Sequence, residues 1–478
     1  MNYRIIVVGG GISGLAAAYR LIELITERSL SAEVGLLEAG QRLGGSIATE
    51  RINGFLVEAG PDSFISEKPW ALRLCERLGI TSRLVSPRTD RQNLYVVHKG
   101  SLRPLPEGFI LMAPTRLWPL IRSPLFSWAG KVRMALDLFL PGRSTEGDES
   151  LGSFVRRRLG PEALERVAQP LIGGIYAANP DELSLAATMP RFLEMERTRR
   201  SIIWAMWLER QRRTHVWRGG SGARWGLFVT LAGGMQELVD TLAKQLPAGT
   251  VRFGAKAVSL ERNSAGRTWV ITTERGDELQ ADGVILAIPA YVAAQTLSSL
   301  APELAEELRA IPYTSTATVS LGYRREDIPD GLDGFGFVAP AIEACEIMAC
   351  TFSSIKYPGR APCGYGLFRA FVGGALQPSL LEQDDRSMET GVRRELAALL
   401  GVKAPPLFCR IHRHPRSMPQ YHVGHPDLIT RIEARLAKLP YITLAGNAYR
   451  GVGIPDCIHS GEEAAEALLK DLTKSGPS

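Results

Sequence analysis

The residues Gly9-Gly10-Gly11-Ile12-Ser13-Gly14 follow an apolar run at 5–8 and lead into an alanine-rich stretch, and a second apolar run at 34–37 ends in Glu38. Strand, tight glycine turn, helix, strand and acid, in that order, predict a dinucleotide-binding βαβ unit. Gly9 suits the tight turn, Gly11 lets backbone approach a pyrophosphate, and Gly14 lets the helix pack closely on the strand. The helix that opens at Ile12 and Ser13 offers free N–H groups and a positive dipole end to phosphate oxygens. Glu38 stands where an acid accepts hydrogen bonds from ribose hydroxyls.

The run Glu38-Ala39-Gly40-Gln41-Arg42-Leu43-Gly44-Gly45 narrows the ligand. Gly44 and Gly45 allow a second close approach of backbone, and Arg42 brings a permanent charge. The pattern E-x3-R-x-G-G resembles the extended fingerprint of flavin oxidases of the amine oxidase and phytoene desaturase type. That resemblance implies FAD rather than NAD.

A chain of 478 residues is long enough for two or three domains, and 45% hydrophobic with 22% charged residues is an ordinary folded composition. The net charge of +6 is concentrated in Arg156-Arg157-Arg158 and in arginines at 197–200 and 210–213. No nucleic-acid motif accompanies these clusters, so an anionic small substrate or a lipid surface suits them at least as well. Six cysteines (75, 345, 350, 363, 409, 457) show neither CxxC nor metal-ligand spacing, which predicts reduced thiols, no metal and a cytoplasmic protein. The first strand begins almost at Met1, leaving no room for a signal peptide. No apolar run reaches the ~20 residues needed to span a bilayer. Peripheral contact with a membrane stays open.

The expected fold class is α/β: a Rossmann-like FAD-binding domain with an α+β substrate domain and a helical cap. The FAD-binding domain draws on 1–61, 226–290 and 441–478, the cap on 88–213, and the substrate-binding domain on 62–87, 214–225 and 291–440. Gly60-Pro61-Asp62-Ser63 forms an irregular loop suited to lie beside a flavin ring. The cap carries Phe109, Ile110, Leu111, Met112, Trp118, Leu120, Ile121, Leu125, Phe126, Trp128 and Phe139, broken by prolines. These residues pack over a substrate cavity or dip into a membrane, and the first reading is preferred. Strands are expected at 251–253, 257–260, 269–272 and 283–288, then at 317–323, 335–338, 346–352 and 367–372, with a helix at 235–246. The chain closes with a strand at 442–444, a glycine-rich loop and a helix over 461–472.

Three further segments are distinctive: Gly173-Gly174-Ile175-Tyr176-Ala177, Met418-Pro419-Gln420-Tyr421-His422-Val423-Gly424-His425, and Gly451-Val452-Gly453-Ile454-Pro455-Asp456-Cys457-Ile458. With the 60–63 loop they resemble, in order and along nearly the whole chain, the bacterial oxygen-dependent coproporphyrinogen III and protoporphyrinogen oxidases of haem synthesis. They resemble in particular the form in Gram-positive bacilli, which implies coproporphyrinogen III as substrate. The resemblance implies FAD contacts at Gly9, Gly10, Gly11, Ile12, Ser13, Gly14, Glu38, Ala39, Arg42, Ser46, Gly60, Pro61, Asp62, Ser63, Val258, Val452, Gly453 and Ile454. Position 414, often tryptophan in that family, is His414, and position 46 is a short Ser46.

The implied reaction is oxidation of coproporphyrinogen III to coproporphyrin III, using oxygen and releasing hydrogen peroxide. Ile175 is the candidate for packing on the macrocycle and Lys68 for anchoring a propionate, while no catalytic acid or base is named. Rival readings are a protoporphyrinogen IX oxidase, another flavin oxidase acting on amines or carotenoids, and a non-enzymatic carrier of the Rab escort type. His422 and His425 lie three apart, but Pro419 and Gly424 predict an irregular segment rather than a metal-bearing helix.

Overall fold

The protein is described by a computed structural model over residues 3–89, 93–110, 113–114, 116–143, 147–216, 227–263, 266 and 268–474. Leu111, Met112, the 217–225 part of the expected substrate domain and the side chains of the arginines at 210–213 lie outside this description.

Strand β1 (Tyr3–Val8), helix α1 (Ile12–Glu27) and strand β2 (Ala32–Glu38) form in the expected order. They belong to a five-stranded sheet whose order is Val251–Phe253, β2, β1, Gly283–Leu286, Ile442–Leu444. Every pairing in it is parallel. Both faces are covered, which is why Ile5 to Val8 and Val284 to Leu286 are apolar at consecutive positions rather than alternating. One face buries α1 and the last helix, Ile454–Lys474, in a common core. The other buries the helices Ala290–Thr296 and Pro302–Arg309 and the meander Ala257–Arg262, Trp269–Thr273, Glu278–Ala281.

A second, seven-stranded sheet runs in the order Phe408–Pro419, Tyr313–Arg324, Tyr365–Gly373, Ile347–Phe352, Gly336–Val338, Leu94–His98, Ser101–Pro104. Three of its members correct the sequence reading. Residues 94–104, expected to begin the helical cap, form two antiparallel strands at one side of this sheet, the first paired in parallel with Gly336–Val338. The long strand Phe408–Pro419 was not expected, because Pro415, Pro419 and a polar run obscure it; as the opposite edge strand it pairs only with Tyr313–Arg324. The last helix is also longer than the predicted 461–472. Pro455 falls in its first turn, where the missing N–H has no intrahelical partner to lose.

The region from Leu117 to Val216 is mainly helical, and its apolar residues divide. Phe109, Leu120, Leu125 and Phe126 are buried in a core of their own, whereas Trp118, Ile121, Trp128 and Phe139 are exposed. Arg158 and Asp137, both wholly buried, tie this core together. The guanidinium donates to Asp137 Oδ1 at 2.6 Å and to the Pro141 carbonyl at 2.9 Å. Asp137 Oδ2 accepts from Ser201 Oγ at 2.7 Å and from the Ile203 N–H at 3.0 Å, which fixes the start of helix Ile202–Val216. Removing Arg158 leaves Asp137 buried without its counter-charge. Arg158→Met is therefore expected to cost about 3–5 kcal/mol of folding stability. Urea unfolding measures this, and a loss below about 1 kcal/mol would place the pair among surface ion pairs in energetic weight.

Candidate functional site

The turn from β1 to α1 is built almost entirely of backbone. Gly9 has φ +107°, and a Cβ there would lie 2.4 Å from the Ala287 carbonyl oxygen. A Cβ on Gly14 would lie 1.9 Å from the Gly9 oxygen, so the helix reaches the turn only because position 14 has no side chain. Gly11 differs from both. Its φ of −69° and ψ of 175° suit any residue, and a Cβ there would meet no protein atom within 4 Å. The space in front of Gly11 opens at the start of α1, whose first turn carries neither a side-chain cap nor an acid. Its N–H groups and dipole remain available to an anion.

Two further loops close on this turn. Gly44 donates its N–H to the Gly10 carbonyl at 2.8 Å and forms a parallel bridge with Gly11. A Cβ on Gly45 would stand 3.4 Å from Gly11 Cα. Gly60 packs on Ser46, where a Cβ would lie 1.8 Å from the Ser46 oxygen. The segments 9–14, 44–46 and 60–63 thus meet through backbone. Glu38 braces them: its Oε2 accepts from the Gly10 N–H at 2.8 Å and its Oε1 from the Gly40 N–H at 2.6 Å. Each oxygen keeps a second acceptor lone pair. Ala39 is exposed beside it. Arg42 folds back over its own loop, donating to the carbonyls of Ile47 at 2.9 Å, Leu43 at 3.2 Å and Gly45. Its charge shapes the glycine loop, a role the sequence pattern alone did not suggest.

The 60–63 loop is held from the seven-stranded sheet. The Ala59 carbonyl accepts from Thr318 Oγ1 at 2.9 Å, His414 Nε2 at 2.9 Å and Arg369 Nη2 at 3.3 Å, and Arg369 also donates to the Gly60 carbonyl. Burial pulls the His414 pKa below its ordinary value, so the ring is neutral and donates through Nε2–H. Asp62 pairs with Lys356 at 3.3 Å and accepts from Ser63 Oγ at 2.7 Å. Burial opposes its ionisation, but Lys356, Arg369 and Ser63 hold its carboxyl well below the usual carboxylate range.

The last helix begins at Ile454, beside α1, and a Cβ on Gly461 would lie 2.2 Å from the Ser13 oxygen. Cys457, in the first turn of this helix and three residues after Ile454, also interacts with Ser13. Burial pushes the Cys457 thiol up to about 12, which keeps it protonated and unreactive. Lys68 is placed differently from expectation: its Nζ is 2.6 Å from Asp456 Oδ1 in the first turn of that helix. Its ammonium is already engaged by a carboxylate of the chain. Val258 is exposed on its strand, and Ile175 is 42% exposed on helix Gln169–Tyr176. His422 and His425 are not joint ligands: His422 faces Glu182 at 3.2 Å, and buried His425 lies 3.1 Å from the Tyr449 carbonyl.

A family model described as flavin containing amine oxidoreductase matches residues 12–469. The chain belongs to that family. It is 37% identical to coproporphyrinogen III oxidase of Bacillus subtilis (strain 168) over 98% of both chains. It is 36% identical to the protein of that name from Propionibacterium freudenreichii subsp. freudenreichii, covering 99% of this chain and 92% of the relative. Protoporphyrinogen oxidase of Bos taurus is 33% identical over 98% of this chain and 99% of its own. Among solved structures, that of a proposed protoporphyrinogen oxidase from Exiguobacterium sp. 255-15 superposes with a TM-score of 0.86 at 33% identity, covering 98% of this chain and 99% of that one. Reduced UDP-galactopyranose mutase shares the fold at a TM-score of 0.72 and 17% identity, covering 98% of this chain and 96% of its own.

This flavoprotein is accordingly an FAD-dependent oxidoreductase, which removes the carrier reading. The site fits its cofactor: the open space at Gly11 is the one place in the turn where a side chain would displace a ligand and nothing else. Gly11→Val is therefore expected to abolish flavin retention while leaving the melting temperature of the apoprotein within about 2 °C of wild type. Absorbance of the purified variant and a thermal scan decide this, and a yellow variant would remove Gly11 from the site.

Proposed function

We propose that this flavoprotein oxidises coproporphyrinogen III to coproporphyrin III in haem biosynthesis, with molecular oxygen as acceptor and hydrogen peroxide as product. The observation that carries this reading is the likeness to a coproporphyrinogen III oxidase along 98% of both chains. When bound, FAD supplies hydride acceptance and electron delivery to oxygen. Each two-electron step takes two hydrogens from the macrocycle, and both end on oxygen as peroxide. The chain contributes position and exclusion of water. Segments 9–14, 44–46 and 60–63, with Glu38, Val258 and 452–454, hold the cofactor. Ile175 offers an apolar contact to the ring system. Lys68 is withdrawn as first candidate for a propionate, since it is paired with Asp456.

Protoporphyrinogen IX is the second reading, favoured by the 33% identity to relatives and structures of that name. The two substrates differ by two propionates against two vinyls, so kcat/KM measured on both separates them. A preference of at least about tenfold for coproporphyrinogen III is expected, equivalent to ~1.4 kcal/mol from better-paired carboxylates. Equal or reversed preference would overturn the substrate and leave the flavin assignment standing.

We also propose a peripheral contact with anionic lipid. No helix among the described residues is long and apolar enough to cross a membrane. On the helical region, however, Trp118 is 62%, Trp128 69% and Phe139 82% exposed. Arg122 lies over the Trp118 ring at 4.8 Å and Lys131 over Trp128 at 4.6 Å. Apolar rings with cations beside them suit the headgroup boundary. Co-sedimentation with phosphatidylglycerol vesicles is expected for wild type and lost in Trp128→Glu/Phe139→Glu. Equal sedimentation of the two proteins would end this reading.

A further inference from the structure

The segment 418–425 is among the most distinctive in the sequence, yet none of its side chains has a part in the reaction proposed above. Its contacts show what it does. Tyr421 is 1% exposed, and its hydroxyl accepts the Gly451 N–H at 2.8 Å while donating to the Asn447 carbonyl at 2.5 Å. These two groups lie near opposite ends of the loop that joins strand Ile442–Leu444 to helix Ile454–Lys474. One phenol therefore bridges the loop, and Gly451, with φ +143°, adopts a conformation that requires glycine. His425 stacks on Tyr421 with ring centroids 4.1 Å apart and planes at 13°. The Tyr449 carbonyl, 3.1 Å from His425 Nε2, gives the loop a third attachment. The segment is also hydrogen-bonded to the helical region. The Tyr421 carbonyl accepts from the Ser184 N–H at 2.7 Å, Val423 donates to Glu182 at 2.9 Å, and Gln420 Nε2 donates to the Tyr176 carbonyl at 3.0 Å.

We propose that Tyr421, supported by His425, is a positioning residue that holds the loop over 446–453 in the shape that receives FAD. The inference rests on reading Val452, Gly453 and Ile454 as flavin contacts. Phenylalanine keeps the ring and the stack but supplies neither acceptor nor donor, so the Gly451 N–H and Asn447 carbonyl must find other partners. Tyr421→Phe is then expected to raise the Kd for FAD about tenfold or more, from the loss of two hydrogen bonds. Hydrogen exchange over 446–453 should quicken in the same variant. A purely structural role would lower the melting temperatures of apoprotein and holoprotein alike and leave the Kd unchanged, and that result overturns the proposal. If Tyr421→Phe does not fold, His425→Phe decides in its place: it retains the stack and removes the donor to Tyr449. A Kd within about twofold of wild type for that variant is equally fatal. Wild-type protein that binds FAD while 446–453 gains no exchange protection would instead overturn the reading of 452–454 on which the inference rests.

Discussion

The carbonyl group of Ala59 is approached by a threonine, a histidine and an arginine from three neighbouring strands of the seven-stranded sheet, and the Arg369 guanidinium goes on to the Gly60 carbonyl. The relation between the two sheets depends on this junction. Arg369 is only 3% exposed, and burial pulls its pKa down, offset by the charges of Asp62 and Glu58. Burying a guanidinium costs several kcal/mol unless carboxylates and carbonyls surround it. Here they do, with Lys356 and Arg360 completing the arrangement around the same two acids. A cluster of this kind contributes little net stability, but it admits few alternative geometries. The 60–63 loop is therefore fixed with respect to strands that also form a wall of the second sheet.

What the junction positions is a surface of peptide groups. The segments 9–14, 44–46 and 60–63 pack so closely that a side chain would collide at Gly60 with Ser46, at Gly14 with Gly9, and at Gly9 with Ala287. Polar side chains act behind this surface: Glu38 restrains two N–H groups and Arg42 three carbonyls. A polyanionic cofactor suits such a surface, because N–H groups at a helix start bind phosphate oxygens without the conformational entropy that long cationic side chains would lose. Gly11 is the exception to the crowding: a Cβ there would meet no protein atom within 4 Å.

The parts of this design that were legible in the sequence are those in which neighbouring residues do one local job. The β1–α1–β2 unit and Glu38 could be read because turn, helix start and acid lie within forty positions, on the order of one βαβ unit. The strands Leu94–His98 and Phe408–Pro419 were not legible: their partners Gly336–Val338 and Tyr313–Arg324 lie far along the chain, and the prolines and polar residues of the second suit an edge strand only. The start of the last helix at Ile454 was missed for a related reason, since glycine and proline read as breakers unless the helix is known to begin there. Side-chain roles depended most on distant partners. His414 meets Ala59 across 355 positions and Lys68 meets Asp456 across 388, separations at which no local pattern carries a signal.

The Lys68–Asp456 pair also bears on where selectivity among porphyrinogens originates. Asp456 stabilises the first turn of its helix by countering the positive dipole end, but the same carboxylate weakens the attraction of that end for electron-rich groups. Lys68, half-exposed at 2.6 Å, partly restores the balance. Were the ammonium to bind a substrate propionate, it would exchange one carboxylate for another. The net gain would be small, and Asp456 would be left uncompensated beside the cofactor loop. A lysine in this setting serves the helix end better than it serves a ligand. Discrimination between four propionates and two must then come from cations without a carboxylate of the chain already in contact, or from apolar surfaces that accept vinyl groups and reject charge.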